Sequence, residues 1–337
     1  MDLENISFEN SVPFYANVGF QFLYPLVDIC GILGNSWILF TLMFGKVKIS
    51  KTTKLYYLII GISDLFIVTN NFVWCDICDS LLLWTNGNLG YCWDTVSITS
   101  CIIFNLWYYL AETTSNYSLV ALSIERLIAV CYPLKAKSIL TRKFTLYLLF
   151  FLVVPLLVLF SVLILFSSRI IPYLNTSDYV CHIDYENIFG MMFNFCMPVI
   201  VLGLHTFIDL IVSFVLFFKL YLARRKSHLI SKSQQSSAEL TATLVLIMLC
   251  TCTMIIYGIT LFIYIATVIF DYFLRVAEEI SLHFSTLMHL SLALTPLPHS
   301  INIFIYLAFI PSFRHSAFCK LYKISPRLEY STFGKTK

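Results

Sequence analysis

Charged side chains are scarce in this 337-residue chain. Asp, Glu, Lys and Arg together make up only 12% of it, whereas 59% of the residues are hydrophobic. A soluble domain carries about 25% charged residues, because its surface faces water. The scarcity of charge therefore excludes an ordinary soluble protein and predicts a membrane protein, for which we expect no nucleic-acid partner.

The motifs of hydrolytic enzymes are missing as well. His283 and His289 do not have the His-Glu-x-x-His spacing of a zinc protease, and no Gly-x-Ser-x-Gly occurs. We therefore expect no enzyme, no resident metal and no organic cofactor. A transporter or channel stays an alternative of another class, although Asp28, Asp64 and Glu112 form no ring in one chain and no inverted repeat is visible.

Seven long apolar stretches fill most of the chain. A segment that crosses a bilayer needs about 20 apolar residues, and its backbone must form hydrogen bonds within the segment, so each stretch is predicted to be a helix. The predicted fold class is an all-α, seven-transmembrane helix bundle at 20–309. It follows an extracellular segment at 1–19 and precedes a cytoplasmic tail at 310–337, which begins with a short amphipathic helix. The predicted spans are 20–44, 55–78, 97–125, 144–167, 188–218, 240–269 and 281–309.

Basic residues concentrate in alternate loops. The loops between spans one and two, three and four, and five and six, together with the tail, hold most of the Lys and Arg, whereas the opposite loops hold only Arg169 and Arg275. This bias predicts an N-terminus outside and a C-terminus inside. The expected location of this multi-pass protein is the plasma membrane. The N-glycosylation motifs at Asn5 and Asn175 then lie outside, whereas the one at Asn116 lies within the membrane.

The predicted outer segments are acidic. Asp184 and Glu186 belong to a set of outer carboxylates that would attract a cationic ligand. A solvated loop surface without ligand preference explains the same charges equally well.

Two of the eleven cysteines are predicted to form a disulfide. Cys101 at the start of span three and Cys181 in the second outer loop both lie on the oxidising side. About 37 Å of helix separates Cys101 from Arg126, which suits one span, whereas a start at Cys92 requires about 51 Å. The pairing of Cys75, Cys78 and Cys92 stays open.

Polar side chains within predicted spans are costly in lipid, so each is a functional candidate. Asn35, Asp64, Ser115 and Asn302 lie at depths where they can meet in the bundle centre. Two interpretations need the same residues: a bound sodium ion, which would be an allosteric modulator, and a dry hydrogen-bond network that fixes helix packing.

One face of span three carries a second candidate site. Tyr108, Glu112, Ser115 and Leu119 recur at helical spacing and so share a face. An ionised carboxylate at the depth of Glu112 costs on the order of 3 kcal/mol unless it has a partner. We interpret Tyr108 and Glu112 as part of a ligand pocket whose floor binds a cationic group. A protonated, hydrogen-bonded glutamic acid is the structural alternative.

Two segments of the chain carry a family resemblance. One is 101–137, with Glu125-Arg126 near the inner end of span three, and the other is 299–306, which reads His-Ser-Ile-Asn-Ile-Phe-Ile-Tyr. Both resemble the rhodopsin-like G-protein-coupled receptors. The likeness is greatest to invertebrate FMRFamide-type neuropeptide receptors. It implies an inner lock of Glu125 and Arg126, Tyr306 as a further residue of the lock and of G-protein coupling, and a heterotrimeric G protein as partner. It also implies arrestin and a receptor kinase as further partners. Cys319, on the short last helix, is a candidate for palmitoylation that would reach membrane lipid.

Several positions depart from that family's pattern. Leu127 follows the arginine in place of an aromatic residue, and Ile303 replaces a proline in span seven. Span six lacks both its tryptophan and its proline, so Gly258 is the candidate hinge.

Two positions argue against particular ligand classes. Tyr108 stands where amine receptors carry aspartate, and Pro296 stands where opsins carry lysine. The resemblance therefore implies a receptor for a peptide, basic or RF-amide-like, with a small-molecule chemosensory receptor as the alternative.

Overall fold

The computed structural model describes residues 24–47, 49–73, 96–172, 179–184, 186–227, 234–268, 287 and 294–317. Within these residues helices occupy all seven predicted positions. Five of them, spans one, two, four, five and six, are long and apolar enough to cross a membrane. The helices are span one Tyr24–Phe44, span two Lys51–Asn71, span three Ile98–Cys131, span four Arg142–Ser167, span five Ile188–Cys196 with Met197–Leu204 and His205–Ser227, span six Gln234–Val268, and the inner part of span seven Pro296–Ser300 with Asn302–Phe309.

Several helices extend beyond their apolar stretches. Span two begins at Lys51 and not at 55, because Ser50 caps the helix by accepting a hydrogen bond from the Thr53 N–H. Span three ends at Cys131 and not at 125. Spans five and six also run further than predicted, to Ser227 and from Gln234. Apolar length marks the part of a helix that lipid surrounds, whereas capping and backbone hydrogen bonds decide where the helix ends.

Span three is the central helix of the bundle. It packs against spans two, four, five and six, and its outer end contacts a β-hairpin. The main core lies in the inner half and includes Tyr57, Leu122, Leu249 and Tyr306. Large apolar side chains on the outside, such as those of Phe151, Phe166, Phe214 and Phe262, are exposed, as lipid-facing residues are.

The second outer loop forms a hairpin over the bundle. Strand β1, Ser168–Pro172, pairs antiparallel with strand β2, Tyr179–Ile183, and places Ile170 opposite Cys181. Cys181 is bonded to Cys101, with 5.4 Å between their Cα atoms, so the predicted disulfide is confirmed. The bond fixes the hairpin to the outer end of span three.

The inner end of span seven turns into a further helix. Residues 311–317 are helical and follow Phe309 after one residue. Phe313 is buried against Tyr306, with 5.8 Å between ring centroids, whereas Arg314 is exposed, so this helix is amphipathic. Predictions that lie outside the described residues stay predictions: those for Asn5, Cys75, Cys78, Cys92, Asn175 and Cys319, and the boundary at 19.

Glycine allows spans one and seven to approach closely. A Cβ atom added at Gly31 would lie 2.5 Å from Ser300 Oγ, 2.9 Å from Val68 Cγ1 and 3.1 Å from Ser300 Cβ. At Gly258 in span six the same atom would meet nothing within 4 Å. Of these two glycines, Gly31 leaves no room for a side chain, whereas Gly258 has open space beside it.

We predict that Gly31→Ala lowers the free energy of unfolding by about 1–3 kcal/mol, because the methyl group overpacks the contact with Ser300 and Val68. The matched control, Gly258→Ala, should raise it by about 0.5–1 kcal/mol, because alanine restricts the unfolded chain and favours helix. Thermal unfolding of the two purified variants measures both changes. Equal stability of the two variants would contradict the close approach.

Candidate functional site

Asp64 is the centre of a buried polar cluster. Its Oδ1 atom accepts a hydrogen bond from Ser115 Oγ at 2.5 Å and lies 2.7 Å from His299 Nδ1. Its Oδ2 atom accepts from Asn302 Nδ2 at 2.5 Å. Asn35 lies one step away, donating to the backbone oxygen of His299 at 2.8 Å. The structure thus brings Asp64, Ser115 and Asn302 into direct contact, with His299 as an additional member through which Asn35 is connected.

A small cavity adjoins this cluster. It leaves about 20 Å³ for the centres of water molecules, which is room for about one water. Part of its wall is the Asp64 cluster, and the rest is formed by the polar residues Asn116 and Thr253 and by four apolar residues, Ile60, Leu119, Leu249 and Pro298.

The hydroxyl of Tyr257 connects this cluster with the predicted ligand pocket. It donates to Glu112 Oε1 at 3.1 Å and lies 2.9 Å from His299 Nε2. The ring of His205 packs edge-on against the Tyr257 ring, with centroids 5.1 Å apart. Four side chains therefore form one hydrogen-bonded path, Glu112 to Tyr257 to His299 to Asp64, which we call the buried polar path.

Glu112 is at the outer end of the buried polar path. The residue is 1% exposed, and its Oε2 atom has no hydrogen-bond partner within the described part of the chain. One turn further out, the Tyr108 hydroxyl lies 3.3 Å from Thr295 Oγ1 of span seven. Tyr108 and Glu112 thus both face the interior of the bundle, toward spans six and seven.

The outer acids are arranged differently from one another. Asp184 Oδ2 lies 2.8 Å from Arg169 Nε, and Asp184 Oδ1 accepts from the backbone N–H of Glu186 at 3.1 Å. Because Arg169 is 60% exposed, this ion pair stabilises the hairpin by no more than about 1 kcal/mol. Arg169 nevertheless partly neutralises the charge of Asp184, whereas Glu186 is exposed to solvent. Of the two predicted ligand-binding acids, Glu186 is therefore the freer.

The inner lock, Glu125 and Arg126, is held by threonines from two neighbouring spans. Glu125 Oε1 accepts from Thr52 at 2.8 Å and Oε2 from Thr145 at 3.2 Å. Arg126 donates to Thr53 and lies 3.4 Å from Glu125 Oε1. Both charged residues are buried, so the lock joins spans two, three and four at the inner end.

Tyr306, the third predicted coupling residue, belongs to an aromatic cluster beside the lock. Its ring centroid lies 4.9 Å from that of Tyr57 in span two. Because Tyr306 also contacts Phe313, it connects spans two and seven with the amphipathic helix at 311–317.

Sequence reasoning did not identify four residues of these networks: His299, Tyr257, His205 and Asp209. Asp209 is fully buried in span five and accepts from Ser123 Oγ at 3.0 Å. The sequence carried a signal for His299, His205 and Asp209, because ionisable residues within spans are functional candidates by default. His299 also precedes Asn302 by three residues and thus lies on the same helical side. Tyr257 carries no comparable signal, since tyrosine is ordinary in an apolar span.

Comparison with known proteins gives one family and several peptide receptors. The family "7 transmembrane receptor (rhodopsin family)" matches residues 34–306. Human galanin receptor type 2 is 26% identical over 193 residues, which are 54% of this chain and 45% of that receptor. The mouse thyrotropin-releasing hormone receptor is 29% identical over 119 residues, 34% of this chain and 27% of that receptor. The matched part thus spans less than half the length of these relatives. The finer likeness to FMRFamide-type receptors stays a prediction.

We predict that Tyr257→Phe lowers the free energy of unfolding by about 1–3 kcal/mol, because it removes the hydroxyl that bonds both Glu112 and His299 in a buried site. Tyr57→Phe is the matched control. The Tyr57 hydroxyl is buried and has no hydrogen-bond partner among the described residues, so its loss should be neutral or slightly stabilising. Thermal unfolding compares the two variants, and an equal change in stability for both would contradict the buried polar path.

Proposed function

Because the chain belongs to the rhodopsin family of seven-transmembrane receptors, we propose that it is a receptor for an extracellular peptide and activates a heterotrimeric G protein. It is a multi-pass plasma-membrane protein, and its family consists of receptors and not of enzymes. The relatives are named for galanin and thyrotropin-releasing hormone, both of which support a peptide ligand. The observation that carries the proposal is the buried polar path, which leads from Glu112 in the outer half to Asp64 in the centre.

The pocket floor supports a cationic ligand group. Glu112 Oε2 is buried without a hydrogen-bond partner among the described residues, and such an atom costs about 1–3 kcal/mol. An arginine side chain or an amine of the peptide would supply the missing donor. Tyr108, one turn further out on the same face, would then line the pocket wall, and Glu186 would attract the ligand from solution.

On the inner side, the proposal assigns coupling to the inner lock. In the present arrangement Glu125 is bonded to Thr52 and Thr145, and Arg126 to Thr53. Release of these contacts would free the arginine to contact a G protein, with arrestin and a receptor kinase acting on the same cytosolic face. This assignment requires the N-terminus outside, as the distribution of basic residues predicts.

The proposed function is tested by a ligand screen. Cells expressing the full chain are exposed to a peptide library rich in amidated Arg-Phe sequences, with calcium and cyclic-nucleotide readouts. We expect a basic peptide to give a saturable response that vector-transfected cells lack. A response only to small uncharged molecules would contradict the peptide assignment, and ion flux without a second messenger would contradict the G-protein assignment.

With a basic agonist from that screen, we predict that Glu112→Gln raises its half-maximal concentration, with a loss on the order of 2–5 kcal/mol, because a buried ion pair is lost. Salt should hardly change this loss. The control is Glu186→Gln, whose small effect should fade as ionic strength rises, since exposed charges are screened over about 8 Å at physiological salt. Unaltered potency of Glu112→Gln would exclude this glutamate from the ligand pocket.

We further predict that Arg126→Ala abolishes the second-messenger response while surface expression and agonist affinity are retained. The residue lies at the inner end of span three, far from Glu112 along the helix. Arg142→Ala, which removes an exposed arginine at the start of span four, is the control and should signal normally. Surface labelling, agonist binding and calcium release measure the three properties. A normal response from Arg126→Ala would show that coupling uses another surface.

A further inference from the structure

We propose that the imidazole of His299 takes the place of a metal cation beside Asp64, so that the bundle centre binds no sodium. Of the two interpretations of this polar cluster, the geometry favours the dry network. The inference depends only on the described residues around Asp64 and is independent of the ligand and of the G protein.

The first argument is the occupation of the carboxylate. An ionised carboxylate offers about four lone-pair sites. Ser115 Oγ and His299 Nδ1 are within hydrogen-bond distance of Oδ1, and Asn302 Nδ2 bonds Oδ2. Because an ionised carboxylate only accepts, Nδ1 must present its hydrogen to Asp64. A hydrogen directed at the oxygen repels a cation that would bind the same oxygen.

The second argument is the lack of room. Hard cations bind several oxygen atoms, and a hydrated ion brings its waters with it. The cavity beside Asp64 has room for about one water, and the rest of its wall is formed by Asn116, Thr253 and four apolar side chains. Asn35, predicted to be part of an ion site, is not among the residues that line this cavity, and its Nδ2 atom donates to the His299 backbone oxygen. The space beside Asp64 therefore suits the histidine better than a hydrated ion.

The third argument is that His299 is fixed in place. Its two ring nitrogens bond Asp64 and Tyr257, and its backbone oxygen accepts from Asn35. The side chain is only about 5% exposed, so the ring is enclosed by the protein. Movement of the ring away from Asp64 would break the bond to Tyr257 as well.

The experiment measures whether sodium stabilises the receptor. The purified full chain is unfolded thermally in detergent with NaCl or with N-methylglucamine chloride at equal ionic strength. The wild-type midpoint should be the same in both salts. His299→Asn and His299→Ser open the site to an ion, so their midpoints should rise in NaCl by on the order of 3 °C and saturate with concentration.

His205→Asn is the matched control, because His205 is a buried histidine that packs on Tyr257 without bonding Asp64. Its midpoint should be independent of sodium. A wild-type midpoint that rises in NaCl relative to N-methylglucamine would overturn the proposal, whether or not the variants fold. If the His299 variants fold but their midpoints do not respond to sodium, His299 is not the residue that excludes the ion.

Discussion

A carboxylate in the centre of a membrane bundle needs partners, and the arrangement of this structure depends on how Asp64 obtains them. In lipid no water is available to solvate the charge, so the neighbouring helices must supply donors. Span three supplies Ser115, and span seven supplies His299 and Asn302. Because each donor comes with its helix, satisfying one carboxylate fixes the positions of spans two, three and seven relative to one another.

Different interactions hold the two ends of span three. At the outer end the disulfide between Cys101 and Cys181 holds the hairpin covalently. At the inner end Glu125 and Arg126 are buried charges, and threonines of spans two and four supply their hydrogen bonds. Hydrogen bonds between a hydroxyl group and an ionised side chain are charge-assisted, so these threonines hold both charged residues at the inner end of the bundle.

Much of the fold was predictable from the sequence, because runs of apolar residues and the alternation of basic loops can be read along the chain. Spacing along the helices also favoured Cys101 for the disulfide and predicted the convergence of Asp64, Ser115 and Asn302. The participation of Tyr257 was not predictable. Its hydroxyl reaches Glu112 and His299 only because span six takes a particular rotation against spans three and seven, and that rotation is determined by packing over the whole interface. The pairing of Asp184 with Arg169 likewise depends on the register of the hairpin.

One detail of the buried polar path has a chemical consequence: the hydroxyl of Tyr257 has a single hydrogen for two partners. When it donates to Glu112, its oxygen must accept from His299, and an imidazole that also donates to Asp64 then carries both protons and a positive charge. When Glu112 holds a proton and donates it to Tyr257, the phenol donates to His299 and the imidazole is neutral. Both arrangements have the same total charge over the four side chains. Protons can therefore shift in concert along the path, so that the charge at Glu112 and the charge beside Asp64 change together without any displacement of a helix.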